Sequence, residues 1–208
     1  LYAVSHVRRQ PGALPWMPAT VRFVARLGLL LCLAWTMGLA TVHAETVNPR
    51  QTWIVGPEGA AIGQLVATEG PRGVMLRMEF AANALPPGWH GAHLHSVGDC
   101  SDRANGFQMS GAHVGHGRHH IEHGLMNPAG PDTGDLPNIF APQAGAFGAE
   151  FYLPGATLST DRKERRRTQL LDADGTALII HASPDDQQTQ PIGGAGARVA
   201  CAALTRLP

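Results

Sequence analysis

The sequence is short of several things. Charged residues make up only 15% of its 208 positions, and their signs cancel to a net charge of zero. A chain without a basic excess lacks the electrostatic footprint of a nucleic-acid binder. Aromatic residues are 6%, and cysteine occurs three times, never as C-x-x-C. That removes the usual thiol motif of metal transfer and redox exchange. No apolar run reaches the roughly 20 residues needed to span a bilayer as a helix. There is no internal repeat and no pattern of a second domain. Glycine (25) and proline (16) are plentiful instead. They are residues of turns, and many turns favour short strands over long helices.

The N-terminal region reads as an address. Arg22 and Arg26 precede an apolar run over residues 27–40, and Val42-His43-Ala44 ends it with small residues at the right spacing. Basic start, apolar middle and small-residue end make a secretory signal. We therefore expect residues 17–44 to be a cleaved signal peptide beginning at Met17. Residues 1–16 are expected to be an untranslated or disordered upstream extension, and 45–208 one functional domain. Export to the periplasm or outside the cell follows, with no stable membrane insertion after cleavage. Cys32 leaves with the signal, and its apolar neighbours do not fit a lipid-anchor motif. The exported part keeps twelve basic and sixteen acidic residues. It also keeps two cysteines, Cys100 and Cys201, and an even pair in an exported chain reads as a disulfide.

Strand signals run through the domain at 52–55, 61–68, 74–80, 89–95, 149–153, 169–173, 177–181 and 197–204. The clearest is 74–80, where Leu76, Met78 and Phe80 alternate with Arg77 and Glu79. Alternation of period two marks a half-buried strand. Residues 96–147 show no lasting periodicity, and a loop that long in a compact domain is normally functional. The charged run 161–167 reads as a solvated loop. Short strands punctuated by turns predict an all-β sandwich or Greek-key barrel.

Nine of the eleven histidines lie beyond residue 44, and eight of those fall within 90–123. His93 and His95 are two apart on a predicted strand, so both side chains share one face. His113, His116, His119, His120 and His123 follow in the long loop, with Asp132 and Asp135 beyond them, and His181 ends a later strand. Imidazole suits copper and zinc, and added carboxylate still fits zinc. The plainer reading is a flexible histidine-rich tract that binds metals loosely.

Ordered segments resemble the copper/zinc superoxide dismutase family in its bacterial exported form. They are Gly91-Ala92-His93-Leu94-His95, Gly98-Asp99-Cys100-Ser101, Gly111-Ala112-His113, His123-Gly124-Leu125-Met126-Asn127-Pro128 and Gly134-Asp135-Leu136-Pro137-Asn138. Leu171-Asp172-Ala173-Asp174-Gly175, Ile180-His181-Ala182, Pro184-Asp185-Asp186 and the run from Gly193 to Cys201 complete the match. The resemblance implies an eight-stranded antiparallel Greek-key β-barrel, an immunoglobulin-like sandwich, with long metal-binding and electrostatic loops. It implies one copper per subunit on His93, His95, His113 and His181, and one zinc on His113, His123 and Asp135. Asp185 would link a copper histidine to a zinc histidine, and Cys100 would pair with Cys201. His90 is read as structural. Arg198 and His113 would be catalytic, the first attracting the superoxide anion and the second carrying a proton. The implied reaction converts superoxide to dioxygen and hydrogen peroxide, in a monomer or homodimer.

The sequence departs from that pattern in two places. Where the family has its third zinc histidine, this chain has Asp132. Asp132 could ligate zinc itself; His116, His119 or His120 could substitute; or zinc could be weak or absent. Gln108 and Gln188 stand where bacterial relatives often carry lysine, so electrostatic steering should be reduced unless Arg103 and Arg118 compensate. The competing function is a copper- or zinc-sequestering periplasmic protein on the same fold. A copper-chaperone role is weaker, because the domain shows no separate metal-donor part. Arg198 separates enzyme from store, because a store has no use for an anion-guiding cation.

Overall fold

A computed structural model describes residues 49–116, 121–161 and 166–206. The expected signal and upstream extension, Cys32, Arg118, His119, His120 and residues 162–165 of the charged run lie outside them. Eleven strand segments occur in chain order: β1 (Arg50–Val55), β2 (Ala61–Gly70), β3 (Gly73–Phe80), β4 (Gly88–His90), β5 (Ala92–His95) and β6 (Ile139–Ala141), then β7 (Phe147–Pro154), β8 (Ala156–Thr157), β9 (Thr168–Gln169), β10 (Thr176–His181) and β11 (Arg198–Leu204). Seven form one antiparallel sheet in the order β5-β10-β11-β1-β2-β3-β7. Two short pairs, β4–β6 and β8–β9, stand beside it.

The expected single strand over 89–95 is interrupted at Gly91. Its first half pairs with β6 and its second half with β10. Gly91 itself bonds to the end of β10 and the residues after it, accepting from His181 N–H at 2.9 Å and donating to Ser183 O at 2.8 Å. A side chain there would meet Ala195 Cβ at 2.9 Å, so the close crossing of that loop demands glycine. Counting β4 and β5 as one interrupted strand leaves ten segments, more than the eight expected, and the seven-stranded sheet curls into a half-barrel. Among the described residues no ladder closes β6 onto β7. No described helix is long and apolar enough to cross a membrane.

The pattern of β3 follows its sequence. Val74, Leu76, Met78 and Phe80 are buried, while Arg77 and Glu79 are exposed. They pack with Ile54, Leu65, Leu94, Leu178 and Ile180 in the main core. Each such side chain contributes about 1.5–3 kcal/mol when fully buried. Strand β10 is buried along its whole length, as its unbroken apolar sequence predicts for a strand covered on both faces. Leu178 and Ile180 face the main core. Ile179 joins Phe107, Ala177 and Cys201 in a second cluster on the other side. Phe107 belongs to the loop after β5, so that loop is packed down as a lid on the sheet. The Cys100–Cys201 disulfide, with Cα atoms 5.8 Å apart, fastens the same loop to β11.

Candidate metal centre

Strand β5 presents His93 and His95. One of its edges is used by β10, with His93 opposite Ile179. The other edge receives two residues of the long loop: His113 bridges to His95, and Asp135 bridges to His93. His181, at the end of β10, completes a buried group. The ligand atoms of His93, His95, His113 and His181 lie within 4.8 Å of one another.

Each ring in this group has one nitrogen engaged and one without a partner. His95 Nδ1–H donates to Gly111 O at 2.8 Å, and His181 Nδ1–H donates to Gly196 O at 2.9 Å. His93 Nε2 meets Asp185 Oδ2 at 2.7 Å, and His113 Nδ1 meets Asp135 Oδ1 at 3.1 Å. The acceptors place the ring protons on the outer nitrogens. That leaves His93 Nδ1, His95 Nε2, His113 Nε2 and His181 Nε2 buried with no hydrogen-bond partner among the described residues. Buried polar atoms are nearly always satisfied, and four such atoms within 4.8 Å of one another could hold a metal ion. Burial, with His113 and Arg198 nearby, pushes the His95 pKa down to about 2. Burial and the neighbouring His93 push His181 down to about 3. Burial also lowers His93, although Asp185 opposes it. Neutral imidazole is the form that binds metal.

A second cluster adjoins the first through His113. Its atoms come from His113, His123 and Asp135, with His93 close by. Asp135 Oδ1 lies 3.1 Å from His113 Nδ1 and 2.7 Å from His123 Nδ1. Asp135 Oδ2 accepts from the backbone N–H groups of Gly124 and Asp132. Asp132 stands at the rim, buried, with Oδ2 3.7 Å from His113 Nδ1 and Oδ1 without a partner. Tetrahedral zinc with ligands about 2.0–2.1 Å away has ligand-to-ligand edges of roughly 3.3 Å. These separations straddle that value. Burial would lower the His123 pKa, but Asp135 and Asp185, one at each ring nitrogen, raise it to about 10. The same contacts hold both carboxyls well below the usual carboxylate range, against burial. Burial and the charge of Asp135 raise Asp132.

Asp185 joins the two clusters, bonding His93 and His123. Asn138 holds its backbone from both sides, donating to Asp185 O at 2.8 Å and accepting from its N–H at 2.9 Å. Gln190 grips His123 in the same manner, accepting from the backbone N–H at 3.0 Å and donating to the carbonyl at 2.7 Å. Sequence reasoning assigned no role to Asn138 or Gln190, and only their place inside histidine-bearing loops could have drawn attention to them. His90 faces two backbone carbonyls, His181 O and Pro86 O, each at 2.8 Å, and does not face the metal cluster.

Arg198, half-buried at the start of β11, has three acceptors. Nη1 donates to Phe107 O at 2.8 Å and Ser110 Oγ at 2.9 Å, and Nη2 donates to Gly111 O at 2.9 Å. Burial lowers its pKa somewhat while Asp102 supports the charge. Gln108 and Gln188 are exposed. The Arg103 guanidinium packs on the β1–β2 turn, 3.1 Å from where a Cβ on Gly59 would sit.

The family model for copper/zinc superoxide dismutase matches residues 61–204. A protein of Caulobacter vibrioides named superoxide dismutase [Cu-Zn] is 49% identical over 147 residues, 71% of this chain and 80% of that one. Superoxide dismutase [Cu-Zn] 2 of Aquifex aeolicus is 34% identical over 178 residues, covering 85% of this chain and 92% of that protein. Among solved structures, a SOD-like protein from Bacillus subtilis superposes with a TM-score of 0.65 at 31% identity, covering 76% of this chain and 99% of the other.

Proposed function

This chain belongs to the copper/zinc superoxide dismutase family and is a superoxide dismutase, and we propose that His93, His95, His113 and His181 hold its copper. The four unpartnered nitrogens aimed at one another carry that reading. Zinc would take His113, His123, Asp135 and Asp132. When bound, copper supplies one-electron chemistry and zinc a fixed positive charge beside His113. Two superoxide anions and two protons become dioxygen and hydrogen peroxide.

The chain's own groups do three things for that reaction. Arg198 has five N–H groups and spends three on the loop, leaving two for a small anion. His113 Nε2, buried and without a hydrogen-bond partner among the described residues, is the atom where a proton can be held beside the substrate. The carbonyls of Gly111 and Gly196 keep His95 and His181 in one tautomer and orientation. We infer that residues 17–44 direct export to the periplasm or beyond the cell, that 45–208 are the working domain, and that it acts as a monomer or homodimer. The sequestering alternative has no use for a half-buried arginine held open toward an anion.

The direct test is superoxide dismutation by protein loaded with copper and zinc. Fast, copper-dependent turnover is expected, and tight copper binding without turnover would overturn the proposal. With uncharged Gln108 and Gln188 exposed where relatives often carry lysine, the rate should fall only gently as salt rises. A steep fall would show strong steering from charges elsewhere.

Asp185→Ala should weaken zinc binding about ten- to a hundredfold, because it releases His93 and His123 together. Chelator competition measures this. An unchanged zinc affinity would show that neither ring depends on the shared carboxylate.

A further inference from the structure

We propose that His116 is a positioning residue for the zinc site, holding Asp132 in the place where the family pattern has a histidine. The inference rests on the reading that Asp132 ligates zinc and adds a residue to it. His116 Nδ1 lies 2.9 Å from Asp132 Oδ2. Its ring is partly exposed while the carboxylate is fully buried, so it reaches inward from the surface to an otherwise enclosed acid.

The backbone delivers this contact. Residues His113 to His116 make one turn, closed by His116 N–H to His113 O at 3.2 Å. Val114 O accepts from Gly134 N–H at 2.8 Å, laying the turn along the segment that carries Asp132 and Asp135. Gly115 sits at φ +89°, where a Cβ would come within 3.1 Å of Thr133 N. Only glycine lets the turn lie this close. His113 and His116 thus leave one turn together, the first toward both clusters and the second toward the acid beside them.

The chemistry gives His116 a purpose. Imidazole in the family's third position is neutral, whereas Asp132 adds a negative charge and a harder donor. Two nitrogens and two carboxylates suit zinc while favouring copper(II) less than an imidazole-rich set would. A carboxylate has two oxygens and rotates freely. An N–H bonded to one oxygen chooses which lone pair is presented and at what angle. Ligating carboxylates commonly carry such a partner. Among the described residues Asp132 Oδ1 has no hydrogen-bond partner, and His116 is the described side chain that donates to this acid.

The experiment uses the full metal-free protein, reloaded with zinc under chelator competition and with cobalt(II) for its visible spectrum. The variants are His116→Ala, His116→Asn and Asp132→Ala. Copper content and circular dichroism confirm that each is folded. His116→Ala should lose about ten- to a hundredfold in zinc affinity. His116→Asn should recover most of it, with a cobalt spectrum like the parent's, because its amide N–H stands close to where Nδ1 stood. Asp132→Ala should lose at least as much and change the spectrum. If Asp132→Ala loses affinity while His116→Ala does not, the role of His116 fails and ligation by Asp132 survives. If both His116 variants lose affinity and Asp132→Ala keeps it, His116 is itself the ligand and both readings fall. If all three lose affinity equally, the donor role of Nδ1 is overturned.

Discussion

Replacing Arg198 with alanine should cut kcat/KM for superoxide roughly ten- to a hundredfold while copper and zinc remain bound. The magnitude corresponds to losing one charge-assisted hydrogen bond to the anion, about 1.5–3 kcal/mol. The guanidinium is suited to this because it is anchored without being saturated. Phe107 O, Ser110 Oγ and Gly111 O take three N–H groups and fix its plane. Lysine cannot copy that fork, so Arg198→Lys should keep the charge, lose the placement and fall between the parent and alanine. Steady-state dismutation with metal analysis of each variant decides the matter. Full activity in Arg198→Ala would remove Arg198 from the mechanism. Loss of copper in step with activity would make it a structural residue.

Removing the disulfide should produce the largest loss of stability. Cys100 and Cys201 are 101 residues apart, and closing a loop of that size is worth about 4.7 kcal/mol in the chain-entropy picture. A double Cys→Ser variant should show a large drop in the urea midpoint. Activity per bound copper should fall as well, for a separate reason. The loop tied down by Cys100 supplies all three acceptors of Arg198 and the carbonyl that orients His95. If the variant lost stability but kept full activity per copper, packing of Phe107 against Ile179 and Ala177 would be enough to hold the loop.

Much of this was legible in residue order. The alternation at 74–80 gave β3, and two histidines spaced by two on a strand gave a shared face. The run at 177–181 gave a strand, and it is β10, buried along its whole length. Short elements were harder. β6 has three residues inside a long stretch without periodicity, too few to make a pattern. The interruption at Gly91 was hidden because its cause, the loop bearing Ala195, lies about a hundred residues later. Contacts between loops were illegible for the same reason. His116 with Asp132, Gln190 with His123 and Asn138 with Asp185 join residues 16, 67 and 47 apart. Neither propensity nor spacing reaches across such distances; only the folded path of the two loops does.

One carbonyl serves two masters. Gly111 O accepts both from His95 Nδ1 at 2.8 Å and from Arg198 Nη2 at 2.9 Å. The residue that would set electron transfer and the residue that would capture the anion are therefore registered to the same atom. Evolution cannot adjust one without dragging the other, so variants of this loop should change the two properties as a pair. Improvement by single substitutions here would be rugged, and compensating changes should arise together at positions 107–111 and around 198.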